Sequence, residues 1–151
     1  MPPSLTIQYR SNANAQLADV RSALSRVGRE LQMAGFNHFT ISSVEIILAE
    51  ILNNIVEHAI YQMPEGWFYV ECKTTETTML FQVRDNGCPM PNNALPKGRP
   101  PNINRTIEKL PEGGWGWSLV HTLAENLTYV RTKQINHVTF NVPIILTKSC
   151  D

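Results

Sequence analysis

The segment from residue 42 to residue 63 constrains the fold of this chain most strongly. Ser42 and Glu45 have the spacing of a capping box, which predicts that a helix starts near Ser42. Pro64 limits this helix, because proline cannot donate a helical hydrogen bond. One face of the helix is apolar and has to be covered by other parts of the chain. That face consists of Val44, Leu48, Ile51, Leu52, Ile55 and Ala59.

The remaining patterns predict five strands and two further helices. Alternating apolar and polar residues indicate strands, and apolar residues three and four apart indicate helices. We expect Gly35 to end the first helix and the last two strands to be able to pair as a hairpin. The order predicts an α+β fold, a two-layer sandwich in which helices cover one face of a mixed or antiparallel sheet. The predicted strands are 5–9, 67–74, 78–85, 127–133 and 137–146, and the helices are 14–34 and 116–126.

Length and charge exclude several classes of function. A chain of 151 residues suits a single domain, here 1–151, and 42 % hydrophobic residues are enough for a buried core. Thirteen basic and thirteen acidic residues give a net charge of zero, which argues against a protein that grips nucleic acid through its phosphates. No apolar run approaches the roughly 20 residues that a membrane helix needs, so we expect no membrane contact.

The N-terminus and the cysteines predict a cytoplasmic protein. The residues Met1-Pro2-Pro3-Ser4 lack the basic start and apolar stretch of a signal peptide. Cys72, Cys88 and Cys150 are scattered and have no CxxC spacing, so neither a zinc site nor a disulfide framework is indicated. We therefore expect reduced thiols.

A polar stripe runs along the predicted helix of residues 42–63. At 100° per residue, Glu50, Asn54 and Glu57 fall within about 60° of one another. Residues 40–72 contain five glutamates and no Lys or Arg, so nothing on the helix compensates these acids. Oxygen ligands of this kind suit a hydrated Mg²⁺, and Glu50 could deprotonate a nucleophile. An ordinary solvated helix face explains the stripe equally well.

Two glycine segments flank a long loop. Asp85-Asn86-Gly87 ends a strand, and alternation places Asp85 on the core side, where a buried carboxylate needs a partner such as the amine of a purine. Gly113-Gly114-Trp115-Gly116 opens a helix, where backbone N–H groups favour anions. Between them lie six of the ten prolines, which predicts a lid over about 88–112. A simple turn and a flexible hinge are the alternative interpretations of the two segments.

Together these motifs resemble the ATP-binding superfamily of DNA gyrase, the heat-shock chaperones, histidine kinases and MutL. Residues 50–59 are similar to its N box, 85–89 to its first glycine box and 113–116 to its second. Within the superfamily the chain most resembles the small anti-sigma factor serine kinases. The resemblance covers about residues 7–146 and implies the Bergerat-type ATP-binding fold. Trp117 departs from it, where an aliphatic residue is usual, as does the proline-rich lid.

The resemblance also implies roles for single residues. Asn54 would bind a Mg²⁺ ion that bridges the ATP phosphates, and Glu50 would be the general base that activates a protein serine. Asp85 would bind the adenine amine, with Gly87 beside the ring. The phosphate contacts would come from Gly114, Gly116 and, in the lid, Arg105.

The implied activity is that of an ATP-dependent protein-serine kinase and anti-sigma factor. Its substrate would be an anti-anti-sigma protein, and its other partners a sigma factor and a second copy of the chain. A non-catalytic, nucleotide-gated binding module is the alternative, in which ATP only sets the partner choice. A histidine-kinase fragment fits less well, because the 151 residues contain no dimerisation helix that carries a phosphoacceptor histidine.

Overall fold

The computed structural model describes residues 4–98 and 115–145, except for the side chain of Trp115. Its strands are β1 (Thr6–Arg10), β2 (Phe68–Thr74), β3 (Thr78–Asp85), β4 (Glu125–Thr132) and β5 (Ile135–Pro143), and its helices are α1 (Leu17–Met33), α2 (His38–Asn54) and α3 (Trp115–Leu123). The strands form one sheet in the order β1-β2-β3-β5-β4, with every neighbouring pair antiparallel. This architecture confirms the predicted α+β class.

The core lies between the helices and one face of the sheet. Side chains alternate along β3, so that Met79, Phe81, Val83 and Asp85 all point to the buried side, as predicted. Phe81 stacks on Phe140 of β5 with ring centroids 4.9 Å apart. The buried apolar side chains of α2 fill the space above, where α2 also packs against α1 and α3.

The prediction that α2 starts at a Ser42 capping box is wrong. The helix begins four residues earlier, at His38, and its cap is Asn37, whose side-chain oxygen accepts a hydrogen bond from the backbone N–H of Phe39 at 2.7 Å. Ser42 therefore lies inside the helix. The physical reason is that Ile41 is buried three residues before Val44 and extends the same apolar face toward the N-terminus.

The other boundaries differ by only a few residues. Gly35 ends α1 as predicted, with a φ of +87° that favours glycine. The third helix stops at Leu123 rather than near 126, because Asn126 has a φ of 53° and the β4–β5 pairing shifts register between Glu125 and Thr128. The predicted pairing of the last two strands is confirmed, through a turn at Lys133 and Gln134.

One helical segment, His38–Ala59, is long and apolar enough to cross a membrane by length and composition alone, contrary to the expectation from the apolar runs. It has 22 residues and a mean hydropathy of 1.5 in its most apolar window, half of which is buried inside the domain. Core helices of globular domains have the same properties, so this segment is weak evidence for a membrane span.

Candidate functional site

The polar stripe of α2 lies where helix α2 meets the start of α3. Glu50 and Asn54 are half-buried and Glu57 is exposed. Burial raises the pKa of the Glu50 carboxyl, and the negative charge of Glu57 raises it further. Among the described residues, none of the three forms an ion pair with a basic side chain. The acidic character inferred from the sequence is therefore retained in the folded domain.

Glu50 packs directly against Gly116 at the beginning of α3. A Cβ atom added to Gly116 would overlap the carboxylate of Glu50. A larger residue at this position would displace the Glu50 carboxylate, so the predicted general base and the predicted second glycine segment meet in the fold. Gly114 and Arg105, two of the predicted phosphate ligands, lie outside the described residues, as does most of the predicted lid over 88–112.

Helix α2 continues into a single π-helical turn, Ile55–Ala59, which contacts the first glycine segment. The backbone N–H of Ile60 donates to the carbonyl of Ile55 at 2.9 Å, and the N–H of Cys88 donates to the carbonyl of Ala59 at 2.8 Å. A Cβ at Gly87 would collide with that Ala59 carbonyl. Turns of this type are rare and are frequently found at functional sites. Here the turn brings the end of the N box against residues 87 and 88.

Asp85 is buried at the end of β3, with only 3 % of its surface exposed. Its Oδ1 atom accepts hydrogen bonds from the backbone N–H of Gly87 at 2.8 Å and from the side-chain amide of Asn136 at 2.9 Å. Burial raises the pKa of Asp85, while the bonds from Asn136 and Gly87 and the charge of Arg131 act in the opposite direction. Both of these hydrogen bonds are made to the same carboxylate oxygen, Oδ1.

Three polar residues of the last hairpin complete this arrangement, and sequence reasoning missed all of them. Asn136 accepts hydrogen bonds from the hydroxyl of Tyr129 at 2.7 Å and from the guanidinium of Arg131 at 2.8 Å. Arg131 also donates to the carbonyl of Gly87 at 2.8 Å. One signal was available: Asn136 is a polar residue on the inward-facing alternation of β5, two residues before the buried Val138.

A cavity of about 430 Å³ opens beside these residues. Glu50 lies one helical turn before the cavity-lining Asn54, and Asp85 ends the strand that leads into the lining segment 88–91. A volume of several hundred Å³ is typical of sites for small ligands. The cavity is lined by Asn54, His58, Ala59, Cys88, Pro89, Met90, Pro91 and Pro96.

A larger cavity of about 540 Å³ lies between α1 and α2. It is mostly apolar, and among the described residues Glu45 is its only titratable lining group. An acidic group repels phosphates, and none of the described residues of the two glycine segments lines this cavity. We therefore assign the candidate site to the smaller cavity beside Asn54, where polar groups from three elements converge.

The described part of the predicted lid is attached to α3. A ring nitrogen of His121 lies 2.7 Å from the carbonyl of Pro96, and Gly98 approaches the backbone of Ser118 so closely that a Cβ would clash. Trp117 is 4 % exposed and belongs to the core. The start of the lid and the helix after it are therefore packed together.

The oxygen atoms that the protein offers at this cavity suit a cation that takes most of its ligands from water and phosphate. No group of three or more His, Cys, Asp or Glu side chains that could hold a metal ion occurs within the described ranges. Asn54 offers one amide oxygen at the cavity wall, and Glu50 offers a carboxylate one turn away. Mg²⁺ commonly binds in this way, through one or two protein oxygens together with waters and phosphates.

Comparison with known families defines the class of protein. The family model of the histidine kinase-like ATPase domain matches residues 12–142. Membership of this class implies ATP binding. A solved structure of the RsbU and RsbW domains of Rv1364c from Mycobacterium tuberculosis superposes with a TM-score of 0.61 at 14 % identity, which supports the fold. The match covers 91 % of this chain, but the chain spans only about a third (32 %) of that solved one.

Sequence relatives narrow the class further. The serine-protein kinase RsbW of Bacillus cereus is 31 % identical over 123 residues, which are 80 % of this chain and 74 % of the relative. The serine-protein kinase RsbW of Bacillus anthracis is 30 % identical over the same length. The chain belongs to the RsbW family of serine-protein kinases. The resemblance inferred from the three motifs is thereby confirmed.

Proposed function

We propose that this chain is an ATP-dependent protein-serine kinase and anti-sigma factor. It transfers the γ-phosphate of ATP to a serine of an anti-anti-sigma partner, and it holds a sigma factor until that partner displaces it. The observation that supports this proposal most directly is the meeting of Glu50, one turn before Asn54, with Gly116 at the start of α3. Residues 1–151 act as one domain in the cytoplasm.

The base of ATP is expected to bind in the cavity beside Asp85. Asp85 accepts the hydrogen bond of the adenine amine, and the lack of a side chain at Gly87 lets the ring approach the backbone. The phosphates then extend toward Gly114 and Gly116, and Arg105 contacts the γ-phosphate. Asn54 contributes an amide oxygen to Mg²⁺, which when bound neutralises charge on the phosphates.

Glu50 acts as the general base. Its pKa is raised by burial and by Glu57, and a carboxylate with a raised pKa is a better proton acceptor at neutral pH. The serine oxygen forms a bond to the γ-phosphorus, the bond between that phosphorus and the ADP oxygen breaks, and the serine proton passes to Glu50. ADP leaves with the electron pair of the broken bond. Positioning of the two reactants supplies most of the rate enhancement.

Phosphate transfer to the partner tests this function. The chain is incubated with its cognate antagonist, Mg²⁺ and γ-labelled ATP, and labelled serine is measured. We expect Glu50→Gln to lower the labelling rate at least a hundredfold. The matched control is Glu45→Gln, which makes the same chemical change on the same helix but at the α1–α2 cavity, and it should label normally. Equal labelling by both variants would remove Glu50 from the mechanism.

One observation favours the alternative of a non-catalytic, nucleotide-gated binding module. Glu50 is not among the residues that line the cavity. The same incubation separates the two functions. ATP-dependent exchange of partners without any labelled serine would identify the module, whereas labelled serine identifies the kinase.

A further inference from the structure

The side chain of Asn136 is fully used by hydrogen bonds around the candidate site. Its Nδ2 group donates to Asp85 Oδ1 at 2.9 Å and to the carbonyl of Cys88 at 2.8 Å. Its Oδ1 atom accepts from the Tyr129 hydroxyl at 2.7 Å and from Arg131 at 2.8 Å. An amide has only these four hydrogen-bonding positions in its plane. Asn136 therefore links Asp85 on β3 to two residues of β4.

Arg131 reinforces the orientation of this amide. A guanidinium only donates hydrogen bonds, so it requires the oxygen of Asn136 to face it. The NH₂ group must then face Asp85, whose carboxylate can only accept. Arg131 and Asn136 are directly paired across the β4–β5 hairpin, which fixes their separation. The Cys88 carbonyl favours the same orientation, so without Arg131 the amide oxygen keeps only the Tyr129 hydroxyl as a donor, and Asn136 and the Asp85 carboxylate are held less firmly.

Tyr129 extends the same chain of hydrogen bonds to the wall of the cavity. Its hydroxyl donates to Asn136 and accepts from the backbone N–H of Met90 at 3.0 Å. Met90 is buried and lines the cavity. Arg131 in turn donates to the carbonyl of Gly87 at 2.8 Å. Both ends of the segment 87–90 are thus held by β4, although neither Tyr129 nor Arg131 lines the cavity.

We infer that Tyr129 and Arg131 are positioning residues for base recognition, which act through Asn136 to orient Asp85 and the segment 87–90. The inference rests on the proposed binding of ATP at this site. A carboxylate held in this orientation accepts a hydrogen bond from the 6-amino group of adenine. It repels the 6-carbonyl oxygen of hypoxanthine. The hairpin β4–β5 therefore sets the preference for ATP over ITP.

The test compares the Kd values for Mg-ATP and Mg-ITP in matched variants. Loss of one to two charge-assisted hydrogen bonds should reduce the ATP-over-ITP ratio about tenfold in Arg131→Met. Tyr129→Phe should reduce it about three- to fivefold, because only the hydroxyl is lost. Arg131→Lys keeps a donor and should restore most of the ratio. The change should come from weaker ATP binding, with little change for ITP.

Two control variants remove the same groups from the opposite face of the sheet. Tyr69→Phe removes a hydroxyl that donates to Glu71 at 2.9 Å, and Arg84→Met removes a guanidinium stacked on Tyr69. Both should keep the unaltered ratio. A second readout needs no nucleotide: amide hydrogen exchange at Met90 should become at least threefold faster in Tyr129→Phe, whose Met90 N–H has lost its acceptor.

Three outcomes overturn the inference. If Arg131→Met and Tyr129→Phe melt earlier but keep the ATP-over-ITP ratio, the two residues are only structural. Unchanged exchange at Met90 in Tyr129→Phe contradicts the described hydrogen bond. If the unaltered chain binds neither nucleotide, the proposed function fails together with the inference, and this result is distinct from a normal ATP preference that the variants leave intact.

Discussion

Glu50 holds its carboxylate in surroundings that disfavour a negative charge. It is half-buried against Gly116, and Glu57 lies two helical turns further along the same face. Its pKa is therefore raised in the folded state, burial being the larger cause. A raised pKa means that the folded protein binds the proton more tightly than the unfolded chain does. The resulting stabilisation is complete below the ordinary glutamate pKa and is lost as pH rises through the folded value.

Glu50→Gln should accordingly stabilise the domain without nucleotide at pH 7. Because Glu50 is partly open to solvent, we expect a gain of only about 0.5 kcal/mol, or about 1 to 2 °C in Tm. The gain should shrink as pH falls below the folded pKa, since the wild-type carboxyl is then protonated. Thermal melts between pH 4 and pH 8 measure this, with Glu45→Gln as the reference. A lower Tm for Glu50→Gln at pH 7 would contradict it.

Positions 87 and 35 favour glycine for different physical reasons, so substitution by alanine should have different effects at the two positions. Gly87→Ala places a methyl group against the Ala59 carbonyl and should cost about 1 to 3 kcal/mol, because backbone rather than a flexible side chain must move. The methyl group of Gly35→Ala meets no atom within 4 Å. This variant should lose about 1 to 2 kcal/mol of stability, because alanine disfavours the φ of +87° at this position.

Urea unfolding measures the stability of the two glycine variants, and nucleotide titration separates them. Gly87→Ala should also weaken Mg-ATP binding more than tenfold, whereas Gly35→Ala should leave it within twofold. ATP binding by Gly87→Ala at the level of Gly35→Ala would show that the contact between residues 87 and 59 does not shape the site.

The side on which Asp85 lies was predictable, but its partner was not. Alternation along β3 alone put the carboxylate in the core, and the need for a compensating group followed from elementary electrostatics. Asn136, which supplies that group, is 51 residues further along the chain. Its position opposite Asp85 depends on the β3–β5 register, which is fixed by packing of the whole sheet rather than by any local pattern.

The β4–β5 hairpin turns through two residues that are poorly suited to the turn. Lys133 and Gln134 have φ values of 51° and 67°, the left-handed region that a two-residue hairpin turn requires. Asn-Gly is the preferred sequence there, so K133N/Q134G should stabilise the domain by about 1 kcal/mol. Urea unfolding checks this, with Lys97→Asn, an exposed lysine outside the hairpin, as the reference. A loss of stability would indicate that the present side chains make contacts worth more than the backbone strain.

For helix α2, local sequence signals were sufficient to predict the buried face but not the first residue or the π turn. Its apolar face was predictable from spacing, because burial repeats every three to four residues. Its start was not, because Ser42 and Glu45 matched the capping pattern inside a helix that a cap at Asn37 had already begun. The π turn at Ile55–Ala59 has no compositional signature, since it is stabilised by contacts with Gly87 and Cys88 that form only in the folded domain.

The domain as a whole is predicted to be stabilised by its nucleotide. A ligand at about 100 times its Kd contributes about 2.7 kcal/mol, which for a chain of this size raises Tm by roughly 5 to 10 °C. Asn54→Ala should lose the Mg²⁺-dependent part of this shift, while Asn53→Ala, its neighbour off the stripe, should keep it. Thermal shift with ATP, with and without Mg²⁺, measures both. Absence of any Mg²⁺ dependence in the unaltered chain would contradict the assigned role of Asn54.

The overall architecture was largely predictable from the order of elements and motifs, because helices and strands of an α+β domain must segregate into two layers. The order of strands in the sheet was not. β5 lies between β3 and β4, so that the last hairpin inserts its second strand next to the centre. The sequence contains no local signal for this strand order, because the position of β5 depends on the burial of Val138, Phe140 and Val142 in the complete sheet.

This strand order has a consequence for the chain as it leaves the ribosome. Residues 6–85 can emerge and pair as β1, β2 and β3, but the edge of β3 stays unpaired until β5 is synthesised. Asn136 arrives with β5, so Asp85 acquires its side-chain hydrogen bond from Asn136 only at that last step. Pairing across such sequence distances is slow, and an open strand edge invites aggregation. Ribosome-bound chains that stop before residue 135 should therefore fail to bind ATP.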